Sequence, residues 1–176
     1  SLDTSLIFDG DVLISGNNLQ GGHGGIAVNF NVDYTGTVID RDIVISNNSI
    51  RDVLHDGLAL TTSCYSSSRV GDHDLVIVGN DTRGCGEAGL DLYNQASYSA
   101  TSSFDFAITN NRITDCDEAV EVGVSTATGD YDYAFQFRGN VLQNQVSRLI
   151  DLEVGGSSSL DLEFNWGDSA RGFNTI

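Results

Sequence analysis

Ile43-Val44-Ile45-Ser46-Asn47-Asn48-Ser49-Ile50-Arg51 is the stretch that decides the fold. Ile43 and Ile45 alternate with Val44, a polar turn follows, and Ile50 resumes the alternation; apolar residues at period two read as strand, turn, strand. The pattern returns along the chain. Asn48 has counterparts at Asn17, Asn80, Asn111, Asn140 and Asn165, at successive intervals of 31, 32, 31, 29 and 25 residues. An apolar pair stands five and three residues before each Asn: Val12 and Ile14, Ile43 and Ile45, Leu75 and Ile77, Phe106 and Ile108, Phe135 and Phe137, Leu160 and Leu162. The residue directly before the first five is Gly16, Asn47, Gly79, Asn110 or Gly139. Only Gly and Asn enter the left-handed region cheaply, so a sharp turn is predicted at this point of every repeat.

A second alternating run follows most of these turns: Ile26-Ala27-Val28, Leu58-Ala59-Leu60, Leu90-Asp91-Leu92, Val120-Glu121-Val122 and Ile150-Asp151-Leu152. There are three short strands per repeat, no helical periodicity, and units too short to hold a core alone. Together these predict a single stacked domain over residues 1–176, a parallel β-solenoid with the Asn amides hydrogen-bonded from turn to turn. The motifs h-x-h-x-x-N-x-h and G-h-x-h resemble the parallel β-helix repeats of the pectate-lyase-like superfamily over about residues 11–167. The resemblance implies an all-β, right-handed parallel β-helix of about five full coils. It does not choose a function, since that fold hosts lyases, hydrolases, epimerases, tailspikes and adhesins. Segments 29–42, 61–74, 93–105, 123–134 and 153–159, rich in Ser, Asp, Gly and Tyr, read as long loops on one side of the coil. Such loops are where binding tends to reside.

Composition narrows the partners. The chain has 176 residues, 20 Gly, no Pro or Met, and a net charge of −17, and all its basic residues are Arg. Nucleic acid and anionic membranes need cations to meet phosphate, so both are excluded as expected partners. No apolar run is long enough to span a bilayer, so membrane insertion is not expected. Divalent cations and neutral or cation-bridged ligands suit this charge better. A chain that starts with Ser and contains no Met reads as a module of a larger extracellular or cell-surface protein. Cys64, Cys85 and Cys116 are too few for a disulfide scaffold. Cys85 and Cys116 each follow a repeat Asn by five residues, so they stack within bridging distance; buried thiols are the simpler reading.

If the aliphatics of the third strand face inward, the middle residues form an outward column: Ala27, Ala59, Asp91, Glu121 and Asp151. Carboxylates on consecutive strands would sit ~4.8 Å apart. Like charges so placed are destabilising, and a cation, shared protons or an Arg such as Arg148 must offset them. The bend before this strand adds His55, Asp56, Glu87, Asp117 and Glu118, while Tyr93 and Glu153 extend the column at its far edge. The resemblance implies that this outward face binds or processes polysaccharide. A lyase or epimerase there uses carboxylates, often with Ca²⁺, and a base. On that basis Asp91, Glu121 and Asp151 are the expected metal-binding or catalytic carboxylates, and His55 or Tyr93 the proton-transfer group. Glu87, Asp117, Arg148 and Glu153 are expected to contact the polysaccharide. A glycoside hydrolase would instead need two carboxylates ~5 to 9.5 Å apart. The leading expectation is polysaccharide binding assisted by Ca²⁺, with a lyase or epimerase second and a structural or adhesive surface repeat third. A solvated acidic face is the bland alternative.

Other features read as structure. Gly21-Gly22-His23-Gly24-Gly25 contains the G-H-G triplet of polygalacturonases, but that family's N-T-D, Asp-Asp and R-I-K segments are missing, so His23 reads as a turn residue. Asp11, Asp42, Asp74 and Asp105 precede the first strands and are expected to accept backbone N–H groups. Leu13, Val44, Val76 and Ala107 form an outward apolar stripe that turns polar at Gln136 and Asp161. This stripe and the open coil ends are the candidate surfaces for self-association. Trp166 and Phe173 are candidate plugs of the last coil.

Overall fold

The computed structural model describes residues 7–8, 11–32, 37–38, 42–64, 69–156 and 159–166. Its regular elements are all strands, and the paired strands run parallel. The short strands Asn18–Gln20, Ser49–Arg51, Asp81–Arg83, Arg112–Thr114 and Val141–Gln143 stack into a five-stranded sheet. The remaining strands form an 11-stranded sheet that wraps the rest of each coil. The chain is a parallel β-solenoid of about three turns, fewer than the five full coils expected. Burial falls off towards both ends of the stack. Core side chains from Ile43 to Leu142 are buried, whereas Val12, Leu19, Ile26 and Val28 at one end and Leu149 and Ile150 at the other are only partly covered. An end rung has a neighbour on one side only.

The repeat Asn builds the corner. Asn17, Asn48, Asn80 and Asn111 each donate Nδ2 to Oδ1 of the next Asn at 2.9–3.0 Å, and their backbone N–H groups reach the same oxygens. The second hydrogen of Nδ2 goes to a carbonyl of the preceding coil, from Asn48 to Ile14 O and from Asn80 to Ile45 O. Both amide hydrogens and the amide oxygen are thereby used, which is why a polar column can lie buried. The preceding residues are left-handed as expected, Asn47 with φ 54° and Asn110 with φ 55°. A second left-handed column was not anticipated: Gly21, Asp52, Gly84, Asp115 and Asn144 close the other end of the short strand. Asn and Asp accept this conformation at little cost, so the two corners repeat without needing Gly throughout.

Asn165 departs from the ladder. Strand Ser159–Trp166 pairs Phe164 with Phe135 and Asn165 with Gln136, so in register Asn165 falls beside Gln136 instead of following Asn140, and Asp161 pairs with Asp132. Its short interval from Asn140 does not fill a coil. The expected loops 93–105 and 123–134 are also corrected. Ala88–Thr109 and Glu118–Arg138 are continuous strands, paired almost throughout with one irregularity between Ala96 and Ser99. Stacking satisfies their backbone groups from the neighbouring coil, so polar Ser, Thr and Tyr residues there are compatible with strand. Tyr133, read as a loop residue, is buried and stacks on Phe104 with ring centroids 5.6 Å apart; Phe106 and Phe135 stack at 4.5 Å. The described parts of 29–42, 61–74 and 153–159 are largely strand as well, within Ile26–Val32, Thr37–Val38, Leu58–Cys64, Arg69–Val78 and Arg148–Gly156, and the rest of these segments, together with Phe173, lies outside the described residues.

Cys85 and Cys116 are free and buried. A hydrogen bond to Cys116, reinforced by burial, pushes the Cys85 thiol up. Room for the sulfurs comes from Gly57 and Gly89: a Cβ on Gly57 would meet Cys85 Sγ at 2.9 Å, and one on Gly89 would meet Cys116 Sγ at 3.3 Å. Among the described residues no helix is long and apolar enough to cross a membrane.

Candidate functional site

The acidic column forms because the third strands stack in register. Ala27 pairs with Ala59, Ala59 with Asp91, Asp91 with Glu121, and Glu121 with Asp151. Flanking Leu90, Leu92, Val120 and Val122 are buried, so the three carboxylates project from the other face, half-buried and one strand spacing apart. Burial pushes Asp91 up to about 7, with the charges of Asp56, Glu121 and Glu87 adding to the shift. Glu121 is raised by burial and then by Glu118, Asp56, Asp151 and Glu153. Asp56 is raised as well, chiefly by burial, although its Oδ1 accepts the Ala88 N–H at 3.0 Å. Sequence reading placed Asp56 and Glu118 at the bend without giving them a role. The structure brings both to the column, and their sequence signal was only their place before the third strand.

Arg51, Arg83 and Arg112 are spent away from the column. Arg51 pairs with Asp81 at 2.9 Å and Arg83 with Asp115 at 3.0 Å, both on the short-strand side. Arg148, opposite Glu118 in the ladder, pairs with Asp151 and lies 4.0 Å from Glu118 Oε1. Among the described residues no ion pair reaches Asp91 or Glu121. Glu118 Oε2 is buried without a hydrogen-bond partner among those residues. The column therefore holds an arginine-neutralised end at Asp151 and an uncompensated end at Asp91 and Glu121.

Tyr93 follows Asp91 by two residues on the same face and is 37% exposed. Its ladder partner is Gly123, and a Cβ there would meet the Tyr93 ring at 2.6 Å. The missing side chain lets the phenol ring lie close over the neighbouring strand. Tyr93, Gly123, Val124, Ser125, Glu153 and Gly155 line a shallow cleft of about 260 Å³ beside the carboxylates. Glu153 pairs with Gly123 at its far side.

The bend residues occupy the opposite edge. His55 Nδ1 meets Glu87 Oε1 at 2.8 Å, and its Nε2 lies 3.2 Å from His23 Nε2. Asp117 presents its backbone carbonyl to Ser147 N and Oγ. His23 does lie in a turn, with Gly21 and Gly22 at positive φ, but its imidazole also touches His55, a contact its sequence position did not announce. The chemistry available at the column is carboxylate binding of cations or hydroxyls, with a carboxyl at Asp91 that can hold a proton near neutral pH. Hard carboxylate oxygens suit Ca²⁺, which takes six to eight of them. Among the described residues, however, no group of three or more His, Cys, Asp or Glu side chains is gathered to hold a metal. Asp91 and Glu121 are the residues that would supply oxygens to such an ion. Comparisons with family models, curated proteins and solved structures find no match.

Proposed function

We propose that the protein is an extracellular or cell-surface β-solenoid, akin to the pectate-lyase-like parallel β-helices, that binds a polysaccharide along its acidic face. The observation that carries this reading is the Tyr93 ring lying over Gly123 beside the uncompensated Asp91–Glu121 pair. An aromatic plane offers an apolar surface to sugar C–H groups, and adjacent carboxylates accept sugar hydroxyls or hold a cation against an anionic residue. For uronate polymers Ca²⁺ is the expected cofactor; Asp91 and Glu121 would hold it, and it would supply positive charge against the anionic sugar. Arg148 would orient the chain at the other end of the column, and Glu153 and Glu87 would bound the groove. Asp117 stands at the same edge.

The test is calorimetric titration with neutral and uronate oligosaccharides, with and without Ca²⁺, alongside product analysis. Gly123→Ala is the discriminating variant. Its Cβ displaces an exposed ring rather than backbone, so we expect glycan affinity to fall about tenfold while the melting temperature stays within a few degrees. Binding unchanged in Gly123→Ala and in Glu121→Gln would defeat the reading. A second reading, a lyase or epimerase, is favoured by one observation: a carboxyl at Asp91 poised near neutral pH beside other carboxylates, as general acid–base chemistry requires. Appearance of unsaturated or epimerised product, lost in Asp91→Asn, would select it; His55 and Tyr93 are then the candidates for the partner proton transfer.

A further inference from the structure

We infer that His23 and His55 form a binding site for a borderline divalent transition metal, Zn²⁺ or Ni²⁺ in class, separate from the acidic column. The two imidazoles come from successive coils and are held together by the backbone, since His55 N donates to His23 O at 2.9 Å. Their Nε2 atoms are 3.2 Å apart. Two nitrogens bound to one tetrahedral ion at Zn–N distances of ~2.0–2.1 Å lie ~3.3 Å from each other, so the separation, that of an N–H···N hydrogen bond in the metal-free protein, also suits neighbouring ligands. The rings are tilted by 34° with centroids 4.1 Å apart, and His23, the exposed member of the pair, can turn about χ2 to bring its lone pair towards a common ion while Glu87 holds His55.

A third group makes the pair more than a stacked contact. With the proton on His55 Nδ1, this nitrogen donates to Glu87 Oε1 at 2.8 Å, which leaves the Nε2 lone pair facing His23. A carboxylate behind a histidine ligand is the arrangement that fixes the tautomer and raises ligand basicity at metal centres. Glu87 thus acts as a positioning residue. Water completes the coordination, because His55 and Glu87 side chains are 41% and 54% exposed. Imidazole nitrogen selects Zn²⁺, Ni²⁺ or Cu²⁺ over Ca²⁺, and the net charge of −17 raises the local concentration of any divalent ion.

The experiment is calorimetric titration of the whole chain with Zn²⁺ in millimolar Ca²⁺, which occupies carboxylate sites, paired with NMR of the imidazole Hε1 resonances. We expect one Zn²⁺ per chain, with resonances from two of the three histidines displaced. His23→Gln and His55→Gln should each weaken binding at least tenfold, and Glu87→Ala roughly tenfold. Asp91→Asn should leave zinc binding unchanged. Both histidines are surface residues, so the metal-free variants should melt with the parent. Zinc affinity unaffected by His23→Gln, or abolished by Asp91→Asn instead, would overturn the assignment.

Discussion

Asn80 shows how one residue type can carry a fold. It is buried, receives the N–H and Nδ2 of Asn48, and donates to Ile45 O and Asn111 Oδ1. Replacing it strands a buried backbone donor and a buried amide at once. Asn80→Ala should cost roughly 3 kcal/mol in chemical denaturation, because each orphaned buried group costs ~1–3 kcal/mol. Asn17 stands at the exposed end of the same ladder, where water replaces the lost partners. Asn17→Ala should cost less than about 1 kcal/mol. Equal losses at the two positions would mean that the ladder does not act through burial. These asparagines were legible in the sequence because their spacing repeats. The second left-handed column was not, since Gly21, Asp52, Gly84, Asp115 and Asn144 share a backbone conformation without sharing a residue type.

At the scale of the element, the long strands and the small residues between them decide how tightly coils close. A Cβ on Gly57 would meet Thr82 Cγ2 at 2.2 Å and the Gly89 carbonyl oxygen at 2.8 Å. The second contact is with backbone and cannot be relieved by a rotamer change. Gly57→Ala should therefore destabilise by at least ~2 kcal/mol, read as a lower urea midpoint. Tyr133 and Phe104 explain why the loop expectation failed. Both lie in polar stretches where alternation is broken by Ser, Thr and Asp, and only the neighbouring coil's ladder makes them core. Hydrophobic patterning reports burial of a strand by its own side chains and is silent about backbone groups satisfied by stacking.

For the molecule as a whole, the acid column makes stability depend on pH. Asp91 is raised from 3.8 to about 7, and Asp56 and Glu121 are raised too. The folded chain then holds protons that the unfolded chain has released. Stability from this source is fully present below the ordinary carboxylate range and is lost as pH rises towards about 7. The melting temperature should increase on acidification from pH 8 to pH 5 at fixed ionic strength. Asp91→Asn should remove most of that slope and stabilise the protein at pH 8 by roughly 1 kcal/mol, the scale of one like-charge cross-strand contact. A flat profile in the parent would show that the column is neutralised by something other than protons. Added Ca²⁺ that flattens the parent profile would identify that agent.

The sequence by itself determined the repeat, the Asn corner, the parallel stacking and the outward line from Ala27 to Asp151, because each follows from local periodicity carried through a constant interval. It also brought Tyr93 and Glu153 to one edge, since residues two apart on a strand share a face. Tertiary structure alone decided which charges remain unpaired, which glycine lets the Tyr93 ring lie close, and that His55 meets both His23 and Glu87. Those outcomes depend on side-chain direction and burial between coils about thirty residues apart in the chain. Distances of a few ångströms across a stack are set by the packing of every rung beneath them, and no single repeat contains that information.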